Sequence, residues 1–229
     1  LSALGEELLR RLRTAYALRP DDFVSLQAYL RSRSPFEVLV ATVLSQNTTD
    51  KAALEALNDL SRIMPITPDS LYRAGVKVIA KAIKRAGMYR VKAHYLWRIS
   101  KTVMENSGGG FDAMLRGDPR EVRERIMALP GVGNKTVDVL LTVLGILERV
   151  PIDTHVYRVA VRIGLIKAGM RYEEAHELLA RVFAEGSRHE AHLLLITHGR
   201  KTCRARKPRC EVCVLTDLCR YYAGRGRGV

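Results

Sequence analysis

A chain of 229 residues with 47% hydrophobic content is long enough to bury a sizeable core, as one large domain or two small ones, and its composition excludes a disordered protein. It contains no apolar run of about 18 or more residues, and its first segment (LSALGEELLRRLRTAY) is amphipathic and charged, which excludes a membrane span and a signal peptide there. The formal charge of +14, from 38 Lys+Arg against 24 Asp+Glu, is an excess that folding does not need and self-repulsion makes mildly unfavourable.

A polyanionic partner explains that excess. The basic residues are spread through the folded pattern rather than gathered on one membrane-binding helix, so nucleic acid is favoured over a lipid surface. An Arg-rich thermophile surface is the alternative, in keeping with only four Asn and two Gln. The expected setting is cytoplasmic and nucleoid-associated, in a prokaryote, with no membrane partner and a monomeric state.

In chain order, apolar residues recur with helical spacing at Leu4, Leu8, Leu9 and Leu12, and then in a nearly all-apolar segment with Phe36, Val38, Leu39, Ala41, Thr42, Val43 and Leu44. Further helices are predicted over 49–62, 77–86, 89–105, 119–128, 134–147, 154–164, 172–184 and 188–199. Period-two alternation is never sustained, so the predicted fold is all-α. Loops are marked by Pro65, Pro68, Gly108 to Gly110, Pro130 and Pro151. The stretch Val139 to Leu147 is apolar on most sides and predicts a helix buried in a bundle. The tail after Cys219 (RYYAGRGRGV) reads as frayed and basic.

Three motifs carry chemistry. In LPGVGNKT, residues 129–136, two glycines sit between helical patterns; they give the close backbone approach and unusual dihedrals that let N–H groups of the turn and of the next helix's N-terminus face a phosphate. Added to the charge, Gly131 and Gly133 predict a helix-hairpin-helix that grips one DNA strand without reading sequence; an ordinary helix connection is the alternative. Lys135 stands near the positive end of the following helix dipole, which disfavours its protonated form. It is a candidate nucleophile or, more simply, a phosphate contact. In PIDTH, Asp153 precedes another helix, where N-capping is its commonest role, although a carboxylate facing Lys135 across a cleft could stabilise positive charge developing on a sugar. The four cysteines, Cys203, Cys210, Cys213 and Cys219, are spaced C-x6-C-x2-C-x5-C. Such close spacing in a large cytosolic chain points to a metal centre rather than to disulfides.

LPGVGNKT, DTH and CRARKPRCEVCVLTDLC together resemble the endonuclease III branch of the helix-hairpin-helix DNA glycosylases. LSQNTTDKA, AGMYRVKA and THGRKTC also fall in that family's order, so the likeness spans nearly the whole chain. The resemblance implies two helical lobes with a DNA-binding cleft between them: a helical barrel over 28–147, and an iron–sulfur cluster domain built from 1–27 and 148–229. It implies that the four cysteines hold a [4Fe-4S] cluster with a structural and DNA-docking role, zinc being the alternative. The basic loop Arg204, Arg206, Lys207, Arg209 would then be braced against phosphates.

The activity implied is that of a base excision repair enzyme, a bifunctional DNA glycosylase and AP lyase. Its partner is duplex DNA carrying a damaged base, an oxidised or ring-saturated pyrimidine, or an abasic site. A flipped-out nucleotide leaves a gap, which the resemblance assigns to two loops, LSQNTTD and AGMY. Met88 occupies the apolar wedge position. The family often presents a glutamine three residues before the Asp, where this chain has Asn47 with Gln46 beside it, so both are candidates to enter the duplex. Lys135 would attack C1' and Asp153 would stabilise the oxocarbenium-like transition state. His155 is expected to be structural. A mismatch thymine or uracil glycosylase and a non-catalytic iron–sulfur DNA-binding protein are the competing readings.

Overall fold

The computed structural model describes residues 2–106, 108 and 110–225. Among the described residues there are helices and turns and no strand, as the sequence predicts. The chain divides into two compact units, Arg19–Leu147 and the combination of Leu1–Leu18 with Glu148–Val229.

The first helix, α1 (Ser2–Ala15), belongs to the discontinuous unit. The chain then builds Arg19–Leu147 from α2 (Val24–Ser32), α3 (Pro35–Leu44), α4 (Asp50–Ile63), α5 (Pro68–Ala82), α6 (Tyr89–Asn106), the single turn α7 (Gly110–Ala113), α8 (Pro119–Met127) and α9 (Asn134–Val143). A boundary at residue 28 would fall inside α2. The unit begins earlier because α2 is tied into it: the Asp50 carboxylate of α4 accepts from the Val24 amide at 3.0 Å, capping a helix whose preceding residue, Phe23, offers no side-chain cap.

Helix α3 is the centre of this unit. Every residue from Phe36 to Leu44 is buried, and the helix packs against α2, α4, α6, α7 and α9. Its start is set by Ser34, whose hydroxyl accepts from the Glu37 amide, with Pro35 at the first helical position. Helix α9 is likewise buried without a break from Thr136 to Thr142. It ends at Val143 rather than at 147, because the chain turns at Gly145 and the amides of Ile146 and Leu147 both return to the Leu141 carbonyl.

Helix α5 departs from the predicted span 77–86. Pro68 is not a loop marker but its first residue, behind a Thr67 hydroxyl cap, and Gly75 breaks the periodicity with a non-helical φ of 75°. Gly110 likewise opens α7, while Gly109 lies outside the described residues.

The discontinuous unit continues with α10 (Thr154–Ile163), α11 (Tyr172–Val182), α12 (Arg188–Lys201) and α13 (Arg220–Arg225). The last of these occupies part of the tail read as frayed; residues 226–229 lie outside the described residues. Helix α1 packs on α11 and α12, and Gly5 makes the contact possible: a Cβ there would fall 1.9 Å from the Val182 carbonyl oxygen. Arg13 pairs with Glu190 at 2.6 Å and Arg11 with Asp217 at 2.5 Å, fixing α1 along its exposed side. Among the described residues no helix is long and apolar enough to cross a membrane. Gly5→Ala is expected to push α1 off α11 and to destabilise this unit by about 1–3 kcal/mol, read as a lower thermal melting temperature at unchanged helical content.

Candidate functional site

In the Arg19–Leu147 unit, α8 and α9 form a hairpin around residues 128–133. The turn closes through the Val132 amide on the Leu129 carbonyl at 3.1 Å. Gly131 has φ 76°, and a Cβ on it would lie 2.5 Å from the Tyr95 ring, so glycine is required twice over. Gly133 departs from expectation. Its φ of −101° is open to any residue and nothing lies within 4 Å of its Cβ position, so its bareness keeps a protein surface clear rather than relieving backbone strain.

The two hairpin helices are bolted together by residues that motif reading passes over. Arg123 of α8 reaches Asp138 at 2.6 Å and the Asn134 side chain at 2.9 Å, and Asp138 is wholly buried. The signal available in sequence is that lone acid inside the apolar run VDVLLTV. Lys135 is the second residue of α9, half-buried, on a helix held from below by this pair.

Two further loops of the same unit bear on the hairpin. Gln46 turns inward, its amide donating to the Gly131 carbonyl at 2.9 Å and to the Thr136 hydroxyl at 3.1 Å. Asn47 is exposed, and its amide lies 3.9 Å from the sulfur of Met88, itself 56% exposed. The structure thus separates the neighbours Gln46 and Asn47: one braces the hairpin, the other stands at the surface beside Met88.

In the discontinuous unit, Asp153 caps α10. Its Oδ1 accepts from the amides of His155 at 2.9 Å and Val156 at 2.7 Å, so capping occupies one oxygen of the carboxylate. The segment before it is held by His192, which bonds to the Pro151 carbonyl at 2.8 Å. His155 packs under α12 and contacts Arg158 at 3.1 Å, and burial holds its imidazole below the ordinary histidine range.

All four cysteines line one cavity, with His198, Arg162, Leu215 and Tyr221 among its walls. Donors face the sulfurs: Arg162 reaches Cys203 Sγ at 3.4 Å and the Leu215 amide reaches Cys213 Sγ at 3.4 Å. Burial, together with the neighbouring cysteine sulfurs, pushes the Cys213 thiol up, a state that a bound cation reverses by drawing off the proton. His198, held down to about 4 by burial, is neutral at pH 7 and links Cys213 at 3.8 Å to the Tyr16 hydroxyl at 2.8 Å. Among the described residues, no three His, Cys, Asp or Glu side chains are gathered as closely as a single ion requires. Four cysteine sulfurs lining one cavity, with donors turned toward two of them, suit an iron–sulfur cluster.

Between the first two cysteines, Arg204, Arg206, Lys207 and Arg209 are all exposed. Their main chain is held from behind: Arg162 donates to the Arg204 and Ala205 carbonyls, and Arg158 to the Cys203 carbonyl at 3.0 Å.

Residues 40–185 match the profile of the HhH-GPD superfamily base excision DNA repair proteins, and residues 203–219 match the iron–sulfur binding domain of endonuclease III. The endonuclease III of Sulfolobus acidocaldarius is 35% identical over 220 residues, covering 96% of each chain. The chain belongs to the endonuclease III family. Two solved members agree in fold over almost their full length. A non-covalent endonuclease III–DNA complex has a TM-score of 0.82 at 26% identity, covering 100% of this chain and 99% of that one. A trapped endonuclease III–DNA covalent intermediate has a TM-score of 0.76 at 26% identity, covering 97% and 99%. This member of the endonuclease III family is accordingly a base excision repair DNA glycosylase with an iron–sulfur cluster.

The contrast between the hairpin glycines is open to test. Gly131→Ala is expected to cost about 1–3 kcal/mol of stability in thermal melts, whereas Gly133→Ala leaves the melting temperature unchanged.

Proposed function

We propose that this protein is a bifunctional enzyme that removes oxidised or ring-saturated pyrimidines from duplex DNA and then cleaves the strand at the abasic site by β-elimination. The observation that carries the proposal is the position of Lys135: an amine in the first turn of α9, directly after the glycine turn, on a helix rigidified by the buried Arg123–Asp138 pair. A grip on phosphate alone would be served by the turn's N–H groups and surface lysines. A half-buried amine on a fixed helix suits attack at one atom.

In the proposed reaction the neutral Lys135 amine attacks C1' of the flipped nucleotide. The glycosidic bond breaks, and the base leaves with its electron pair and takes up a proton. Asp153, one oxygen held by two amides, presents its negative charge to the sugar as positive charge develops there. The C1'–O4' bond of the resulting aminal then opens, O4' taking up a proton, to give a Schiff base; loss of a proton from its C2' expels the 3' phosphate, and water hydrolyses the Schiff base to release the enzyme. Asn47 and Met88 fill the gap left in the stack, the turn at Gly131 and Gly133 holds a phosphate, and Arg204, Arg206, Lys207 and Arg209 hold others.

Within this reading Arg19–Leu147 is the helical barrel with the helix-hairpin-helix, and the other unit is the cluster domain. The cluster is [4Fe-4S], held by Cys203, Cys210, Cys213 and Cys219, and when bound it cross-links four points of one short segment rather than taking part in base removal. Arg162, Arg158 and the Leu215 amide support the negative charge and the loop carbonyls around it.

Borohydride trapping on a duplex with one abasic site tests the chemistry: a covalent adduct is expected with the native protein and none with Lys135→Ala. Absence of an adduct from the native protein would reduce Lys135 to a phosphate contact. Asp153→Asn keeps a good N-cap but loses the charge, and is expected to slow base release by about 100-fold or more with its melting temperature preserved. A panel of duplexes carrying oxidised pyrimidines, G:T and G:U pairs, scored for released base, decides the substrate class. Gly133→Ala is expected to weaken duplex binding without unfolding the protein, since its methyl group would stand between the turn and the phosphate. Cys213→Ser is expected to lose bound iron and visible colour; full colour with unchanged iron content would remove that cysteine from the ligand set.

A further inference from the structure

Lysine is rarely taken wholly out of water, because its ammonium loses hydration that only close partners replace. Lys92 is nonetheless 2% exposed. It stands one turn into α6 and donates to the Leu44 carbonyl at 2.7 Å and the Ala86 carbonyl at 2.5 Å. Leu44 is the last residue of α3, so the ammonium sits at the negative end of that helix dipole. Ala86 closes the short 3-10 turn Lys84–Ala86. Burial pushes Lys92 down to about 8, which leaves it largely protonated at neutral pH.

Both carbonyls stand at the roots of exposed loops. Asn47 follows Leu44 by three residues and Met88 follows Ala86 by two. Each is a non-glycine residue in the left-handed region, with φ 51° and 46°, a conformation that side chains seldom adopt and that persists where surrounding structure imposes it. The loops also touch each other, through the Asn47 amide and Met88 sulfur at 3.9 Å. The Lys92 main-chain amide bonds to the Met88 carbonyl at 3.1 Å. One residue therefore fastens the roots of both loops with its side chain and the tip of one with its backbone.

We propose that Lys92 is a positioning residue that fixes Asn47 and Met88 as a single two-residue wedge, so that both enter the duplex together as the nucleotide leaves the stack. This rests on the reading above that these two side chains fill the gap. Because Lys92 is buried, its charge acts on the two carbonyls and not on a phosphate. Releasing the clamp lets each loop move separately and spoils insertion while the Lys135 helix stays in place.

A full-length test uses a duplex with 2-aminopurine opposite an abasic site, whose fluorescence reports disturbed stacking, alongside base release from a duplex carrying a ring-saturated thymine. Met88→Ala, Lys92→Met, their combination and Lys92→Arg are compared well below their melting temperatures. Met88→Ala and Lys92→Met are each expected to diminish the fluorescence change and to slow base release on the order of ten- to a hundredfold. The double variant should be no worse than the poorer single one, and Lys92→Arg should restore most of the signal. An unchanged signal in Met88→Ala would sink the wedge reading itself, and the role of Lys92 with it. A loss in Met88→Ala together with a normal signal in Lys92→Met, or with fully additive losses in the double variant, would overturn the positioning role alone. If Lys92→Met does not fold, Lys92→Gln, a neutral donor of shorter reach, takes its place in the same comparison.

Discussion

The burial of α3 governs the arrangement of the Arg19–Leu147 unit. A helix with no solvent-facing side from Phe36 to Leu44 has to be wrapped by its neighbours, and its terminal carbonyls, shut off from water, need donors from elsewhere. Lys92 is the donor at the Leu44 end. The same burial that makes α3 the core thus recruits a charged side chain to its end, and places that side chain beneath the loop that follows. Packing and positioning here are one constraint: the loop at Asn47 can be exposed and strained because its root is anchored in the driest part of the unit.

The other unit solves a different problem. Its cysteine segment, residues 203–219, is short of apolar side chains, with Leu215 the buried one. Arginines take over the holding. Arg158 and Arg162, both on α10, donate to carbonyls at the start of the basic loop and to a cysteine sulfur, and Arg162 also lies over the Tyr221 ring at 4.7 Å. Several of the positive charges that composition assigns to a polyanionic partner therefore act internally, as five-donor clamps on the main chain. Within the cysteine segment the charge that faces outward is that of Arg204, Arg206, Lys207 and Arg209.

The all-α fold, the buried α3 and α9, and the hairpin turn were legible in sequence because each rests on a local signal: apolar periodicity, or glycine and proline at a turn. Local signals also explain the errors. Pro68 reads as a loop marker until Thr67 is seen to cap it from the residue before, and Gly75 interrupts the period that would have joined the two halves of α5. The paired glycines of LPGVG look equivalent in one dimension, yet only Gly131 meets a ring, Tyr95, from 36 residues earlier in the chain. Lys92 was hidden within AGMYRVKA for the same reason. Lysine is a surface residue by type, and nothing within its own segment announces that two distant carbonyls converge on it. Asp153 was legible as a helix cap, and its capping geometry is seen.

The docking of α1 against α11 and α12 gives the two units unequal histories during synthesis. Arg19–Leu147 is contiguous, so a ribosome that has released Leu147 has delivered all of its core. Helix α1 emerges before any of it and then has to wait, apolar face uncovered, until α11 and α12 follow more than 150 residues later. Closing so long a loop slows association relative to local folding. The four cysteines emerge later still, after α12. The order of translation therefore makes the hairpin-bearing unit the first to fold and cluster loading the last step, with Leu4, Leu8, Leu9 and Leu12 the stretch most exposed to chaperones and to aggregation in the interval.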